Sequence, residues 1–180
     1  MASERFWNAS KSIIDKTEKH PFLTSMVDGT LSKDKFIYYV IQDALYLTDF
    51  ADCLKRLGDS LPTNTSDSNS NSNSNSNAAD KERLYSLAKG AEEDEKELHR
   101  SFFTKWGISS TTNTNTNTND SDNTVEAEAM PKTLLYTSYM LRVVTTRPYV
   151  EGLAVLLPCF WVYMHVGKCM LKLRDELGDR

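Results

Sequence analysis

The chain has 180 residues, enough for one domain with a real core. Its formal net charge is -4, which argues against a general nucleic-acid binder, a class that normally presents a basic surface. Three cysteines, none in a CxxC pair, suit a reducing compartment better than a disulfide framework, and so a cytoplasmic setting.

The opening stretch MASERFWNASKSIIDK has no apolar core of signal-peptide length. Ser3 to His20 reads as a first helix, with Phe6, Trp7, Ile13 and Ile14 as its apolar face and Pro21 at its end. A short second helix follows through Met26, and Asp28-Gly29 marks a turn. Ser32 is placed to cap a third helix that reaches about Leu57. The fourth is expected from Ala78 or Asp80 to Trp106, with Leu84, Leu87, Ala88, Ala91, Leu98 and Phe102 facing inward. The fifth should run from about Lys132 to Thr145, apolar through Leu134, Leu135, Tyr136, Tyr139, Met140 and Val143, until Arg147-Pro148 breaks it. No strand alternation of useful length occurs. The fold class is therefore all-α, a helical bundle.

Two polar tracts interrupt this order, SDSNSNSNSNSN and TTNTNTNTN. Neither has apolar periodicity, so both are expected to be disordered loop insertions, at about 60–79 and 109–124, within a single domain over 1–180. Long loops cost little stability.

The last element, Gly152 to Met170, is the most apolar. Leu153, Leu156, Leu157, Phe160, Val162, Tyr163 and Val166 occupy too many faces for a surface helix, so most of its circumference should be packed. Pro158 marks a kink or a first turn. Cys159 and Tyr163 lie one turn apart and share a face. They read either as plain core or as the lining of an internal pocket. No run of about 18 apolar residues suggests a membrane span.

A second constellation sits on the third helix. Tyr39, Asp43, Tyr46 and Phe50 fall at steps of four, three and four and form one stripe. A carboxylate is rarely buried without a partner, so Asp43 is either a boundary group bonded to a neighbour or a pocket carboxylate. Glu95 and His99 do not recur as a paired ExxH motif, and His20 reads as a helix-end residue, so no metal or haem site is expected. No glycine-rich phosphate loop and no basic recognition helix is present.

The segments FIYYVIQDALYLTDF, LLYTSYM and LAVLLPCFWVYMHVG, in this order, together with HPF, DGTL and EKELHRSF, closely resemble the TenA family, also called thiaminase II or aminopyrimidine aminohydrolase. The likeness covers the chain apart from the polar tracts. It implies a haem-oxygenase-like helical bundle without haem, usually a homotetramer. It also implies hydrolysis of 4-amino-5-aminomethyl-2-methylpyrimidine, or of thiamine, to hydroxymethylpyrimidine in thiamine salvage. By the same resemblance Cys159 matches the nucleophile and Asp43 the carboxylate of the QD motif. Tyr46, Tyr136 and Tyr163 match aromatic residues that bind substrate. The chemistry suits these residue types. Aromatic rings can cover the faces of a flat aminopyrimidine, a carboxylate can accept from its polar edge, and a thiolate adds reversibly near neutral pH.

The family continues past the region of Lys172 with helices that carry a glutamate used as general acid/base. No glutamate of this sequence matches it, since Glu176 lies too early. The expectation is a pocket open on one side, Leu153 and Val162 short of cover, and slow turnover. The alternative is a catalytically degenerate protein that binds a pyrimidine or regulates partners.

Overall fold

The computed structural model describes residues 2–62, 71–106 and 127–178. Among them are helices α1 (Ala2–Glu18), α2 (Pro21–Val27), α3 (Lys33–Asp59), α4 (Asn71–Trp106), α5 (Pro131–Thr146) and α6 (Tyr149–Gly178), with no strand. The tract at 109–124 lies outside the described residues.

Local chemistry explains the breaks. His20 stands at the N-cap of α2, where its Nδ1 accepts from the Phe22 N–H at 3.2 Å and Pro21 begins the helix. Between α2 and α3 the Asp28 carboxylate accepts from the Thr30 N–H at 2.9 Å and the Thr30 hydroxyl at 2.6 Å. Gly29 there adopts φ +78°, a left-handed conformation that costs glycine little. The Ser32 carbonyl accepts the first bond of α3, from Phe36 N–H at 3.2 Å. Arg147 and Pro148 separate α5 from α6, as expected.

By contact density the chain divides into two compact units, residues 1–37 with 157–180, and residues 38–156. The larger unit holds most of the buried apolar residues. Along α3, Val40, Leu47, Phe50, Ala51, Cys53, Leu54 and Leu57 are all buried. Leu84, Ala88 and Ala91 of α4 are buried too, as are Met140, Val143 and Val144 of α5 and Leu156 of α6. Each large side chain here stabilises the fold by about 1.5–3 kcal/mol relative to leaving it in water.

Polar contacts set the register of this unit. Lys81 Nζ and the Tyr85 hydroxyl donate to Asp59 at 2.7 and 2.9 Å, and Lys55 pairs with Glu92 at 2.7 Å, so α4 runs antiparallel to α3. Helix α5 instead runs parallel to α3. Gln42 meets Met130 and Thr133 at its start, and Tyr46 meets Tyr136 one turn on. Helix α6 approaches α3 at Gly152, where an added Cβ would collide with a terminal methyl of the fully buried Leu57.

The smaller unit is held by aromatic contacts. The Trp7 and Trp161 rings lie 5.1 Å apart, and the His165 ring meets Trp7 edge-on at 4.7 Å. Ile14 is buried, but Phe6 and Ile13, placed on the same face by sequence, point outward. Both fall at the edge of a stripe that is narrower than the sequence suggests.

Two further expectations need correction. Helix α4 begins at Asn71, not at Ala78 or Asp80, so the second half of the Ser/Asn tract is helical. Once the turns from Asp80 to Ala91 are formed, each added residue gains one bond without a new nucleus. Asn77 of the added stretch donates to the Pro62 carbonyl at 3.3 Å. Residues 63–70 of that tract lie outside the described residues.

Next, α6 is not packed around its circumference. It buries Gly152 and Leu156, while Leu157, Phe160, Tyr163 and Met164 are exposed; Leu153, expected to be short of cover, is exposed as well. On α4 and α5, Leu87, Leu134, Leu135 and Tyr139 are exposed as well. Too few described elements lie against these helices to use all of their apolar faces. Pro158 lies inside α6 rather than at its start, and the boundary between the two units falls beside it.

Helix α6 contains no unbroken run of 18 apolar residues, but by length and average composition it reaches what a membrane span requires, with an 18-residue window of mean hydropathy 1.4. Those measures do not separate a membrane span from the core helix of a soluble domain. In this structure α6 is engaged by protein at two levels, Gly152 by Leu57 and His165 by Glu18.

The approach at Gly152 is testable. Gly152→Ala should gain about 1 kcal/mol in helix propensity but lose about 1–3 kcal/mol to overpacking against Leu57. Urea denaturation should show a net loss of stability for Gly152→Ala and a larger one for Gly152→Val. An alanine variant more stable than the parent would show that the two helices are not in close contact.

Candidate functional site

Asp43, Tyr46 and Tyr136 belong to the larger unit, and Cys159 and Tyr163 to the smaller.

In the larger unit, helical spacing brings the α3 stripe onto one face. Tyr46 is buried, with 9% exposure, and its ring stacks on Phe50 at 5.6 Å and on Tyr136 at 6.0 Å, the latter pair only 11° from parallel. Such offset stacking adds about 0.5–1.5 kcal/mol beyond burial and fixes the ring planes. The Tyr136 hydroxyl donates to the Val155 carbonyl of α6 at 3.2 Å, which orients that ring from its far end. Asp43 precedes Tyr46 by one turn and is half-buried, at the wetter end of the stripe.

The residue before it, Gln42, does something the sequence reading missed. Its Oε1 accepts from the Met130 N–H at 2.8 Å and from the Thr133 hydroxyl at 2.9 Å, while its Nε2 donates to the Glu128 carbonyl at 3.0 Å. One side chain thereby satisfies an otherwise orphaned donor at the start of α5 and pins that helix to α3. The QD pair thus places a clamp beside a carboxylate. The clamp holds α5 at the height where Tyr136 meets Tyr46.

In the smaller unit, Cys159 and Tyr163 share a face of α6 as the spacing predicts, Cys159 half-buried and Tyr163 53% exposed. Further along, α6 carries a group absent from the sequence reading. His165 Nε2 lies 2.5 Å from Glu18 Oε1 of α1, and Cys169 Sγ lies 3.6 Å from the same nitrogen. A search restricted to paired ExxH motifs could not find it. The available signal was a histidine and a cysteine four residues apart on one helix.

A model of the TENA/THI-4/PQQC family matches residues 7–178. The chain belongs to that family. It is similar to an aminopyrimidine aminohydrolase of Bacillus subtilis, 34% identical over 152 residues that make up 84% of this chain and 54% of the relative. It is also similar to an aminopyrimidine aminohydrolase of Halalkalibacterium halodurans, 32% identical over 154 residues, 82% of this chain and 55% of that one. The chain thus spans about half the length of these curated relatives. Among solved structures, a TenA homologue from P.horikoshii OT3 superposes with a TM-score of 0.72 at 23% identity, covering 97% of this chain and 70% of that one. The fold is accordingly the all-α, haem-oxygenase-like fold of the TenA proteins.

Within this TenA-family chain the three cysteines differ in environment. Cys53 is buried on α3, and burial, followed by the charges of Asp52 and Asp49, pushes its thiol up to about 12. A thiol so held is a poor nucleophile near neutral pH. Burial, then the Glu18 charge, also raises the Cys169 thiol. In the folded protein at neutral pH, iodoacetamide should therefore alkylate Cys159 and leave Cys53 unmodified until denaturant is added, as read by peptide mass spectrometry. Modification of Cys53 at the rate of Cys159 would contradict these environments.

Proposed function

We propose that the chain acts as an aminopyrimidine aminohydrolase, converting 4-amino-5-aminomethyl-2-methylpyrimidine to hydroxymethylpyrimidine in thiamine salvage, with thiamine as a further substrate. The observation that carries this reading is the ordered pair of Tyr46 and Tyr136, one turn from Asp43, in a chain 34% identical to an aminohydrolase. The family match from 7 to 178 runs through both compact units and supports reading them as one TenA-like domain.

In this reading Tyr46, Tyr136 and Tyr163 supply aromatic surface for the flat ring. Asp43 accepts hydrogen bonds from its amino group or from a protonated ring nitrogen. The Cys159 thiolate adds to the ring, and the electron pair released expels ammonia from the protonated exocyclic aminomethyl group. Water bonds to the methylene carbon and gives up a proton, and departure of the thiolate restores the aromatic ring. The net change replaces an amine with a hydroxyl. The protein works in the cytoplasm as a homo-oligomer, with neither nucleic acid nor membrane as partner. Exposure of Leu135 at 73%, Tyr139 at 57% and Leu134 at 54% on α5 supports association between copies.

Two variants test separate parts of the reading. Asp43→Asn keeps the side chain's size and removes its charge, so calorimetry should show aminopyrimidine binding weakened by about 1.5–3 kcal/mol. Equal affinity in variant and parent would remove Asp43 from the binding surface. Cys159→Ala should bind the pyrimidine as the parent does but lose turnover by orders of magnitude. Parent-like turnover in that variant would refute its role as nucleophile.

A further inference from the structure

We propose that Glu18, His165 and Cys169 form a binding site for a divalent transition metal of the zinc type, separate from the aminopyrimidine chemistry. The three donor atoms all lie within 4.8 Å of one another. They are one carboxylate, one imidazole and one thiol, the mixed oxygen, nitrogen and sulfur set that zinc accepts. Two come from one face of α6, and the third closes the group from the last residue of α1.

The spacing fits. With zinc–nitrogen and zinc–sulfur bonds of ordinary length at a tetrahedral angle, nitrogen and sulfur stand about 3.5 Å apart. Cys169 Sγ and His165 Nε2 are 3.6 Å apart already. The same construction puts a nitrogen and a carboxylate oxygen about 3.4 Å apart. Glu18 Oε1 and His165 Nε2 are hydrogen-bonded at 2.5 Å, so the carboxylate has to withdraw by a fraction of a side-chain rotation. It is 29% exposed, and His165 is 30% exposed, which leaves room for that movement and for a water as fourth ligand.

Charge and orientation agree with the spacing. A carboxylate and a thiolate together neutralise a dication, and His165 contributes no charge as a ligand. Trp7 meets the imidazole edge-on at 4.7 Å, and Trp161 backs Trp7 at 5.1 Å, so the ring that must aim Nε2 at the metal is held from the side. A metal here would cross-link residues 147 positions apart in the chain, joining the end of α1 to α6. Such closure of a long loop stabilises the folded state by constraining the unfolded one.

The experiment uses the full chain, freed of metal with a chelator and titrated with Co²⁺ as a spectroscopic substitute for zinc. The expected result is one equivalent of cobalt bound, with a thiolate-to-cobalt charge-transfer band in the near ultraviolet that Zn²⁺ abolishes. Cys169→Ser should lose the band, and Glu18→Gln should weaken cobalt binding by more than about 10-fold, with both variants' folding checked by circular dichroism. Cys159→Ala should keep the band. Absence of the band in the unaltered protein overturns the proposal whatever the variants do. So does a band that survives in Cys169→Ser or disappears in Cys159→Ala.

Discussion

Leu57 has no exposed surface, and the place where α6 crosses it is occupied by a residue without a side chain. Much of the larger unit depends on that approach. It lets the first turns of α6 lie against α3, which puts Leu156 into the same core and brings the Val155 carbonyl within reach of the Tyr136 hydroxyl. That hydroxyl then fixes a ring whose face stacks on Tyr46. A packing constraint at one end of α3 is thus transmitted to the aromatic pair at its middle. The Gln42 clamp sets the height of α5 independently.

The helical class and most helix limits were legible because the punctuation is chemical. His20-Pro21, Asp28-Gly29 and Arg147-Pro148 stop or turn the backbone whatever the tertiary context, and the structure breaks at each. The start of α4 was not legible. Ser and Asn are poor helix formers, and local propensity could not reveal an extension that continues helix already formed and packed. Burial was misread most on α6. Apolar residues on every face say that a helix can be buried, not that partners are at hand. Leu157, Phe160 and Met164 remain exposed.

The candidate residues were legible in a similarly uneven way. Periodicity put Asp43 with Tyr46, and Cys159 with Tyr163, since residues three or four apart must share a face. It could not pair Tyr46 with Tyr136, which lie on different helices; the resemblance named both, and the structure supplied the 6.0 Å stack. Gln42 was hidden because two of its three partners, Glu128 and Met130, are backbone groups of a distant segment that no side-chain pattern marks. The Glu18–His165–Cys169 group was hidden because its members lie at opposite ends of the chain.

The family is shown by a match over nearly the whole chain, while the chain spans only about half the length of the relatives named for the reaction. Whether these residues carry out the hydrolysis is therefore the central claim. Its most direct test is to incubate the purified protein with 4-amino-5-aminomethyl-2-methylpyrimidine and measure both products. The account predicts ammonia and hydroxymethylpyrimidine released in equal amounts, above the rate without protein. Saturable binding of the pyrimidine with no ammonia above that background would contradict it.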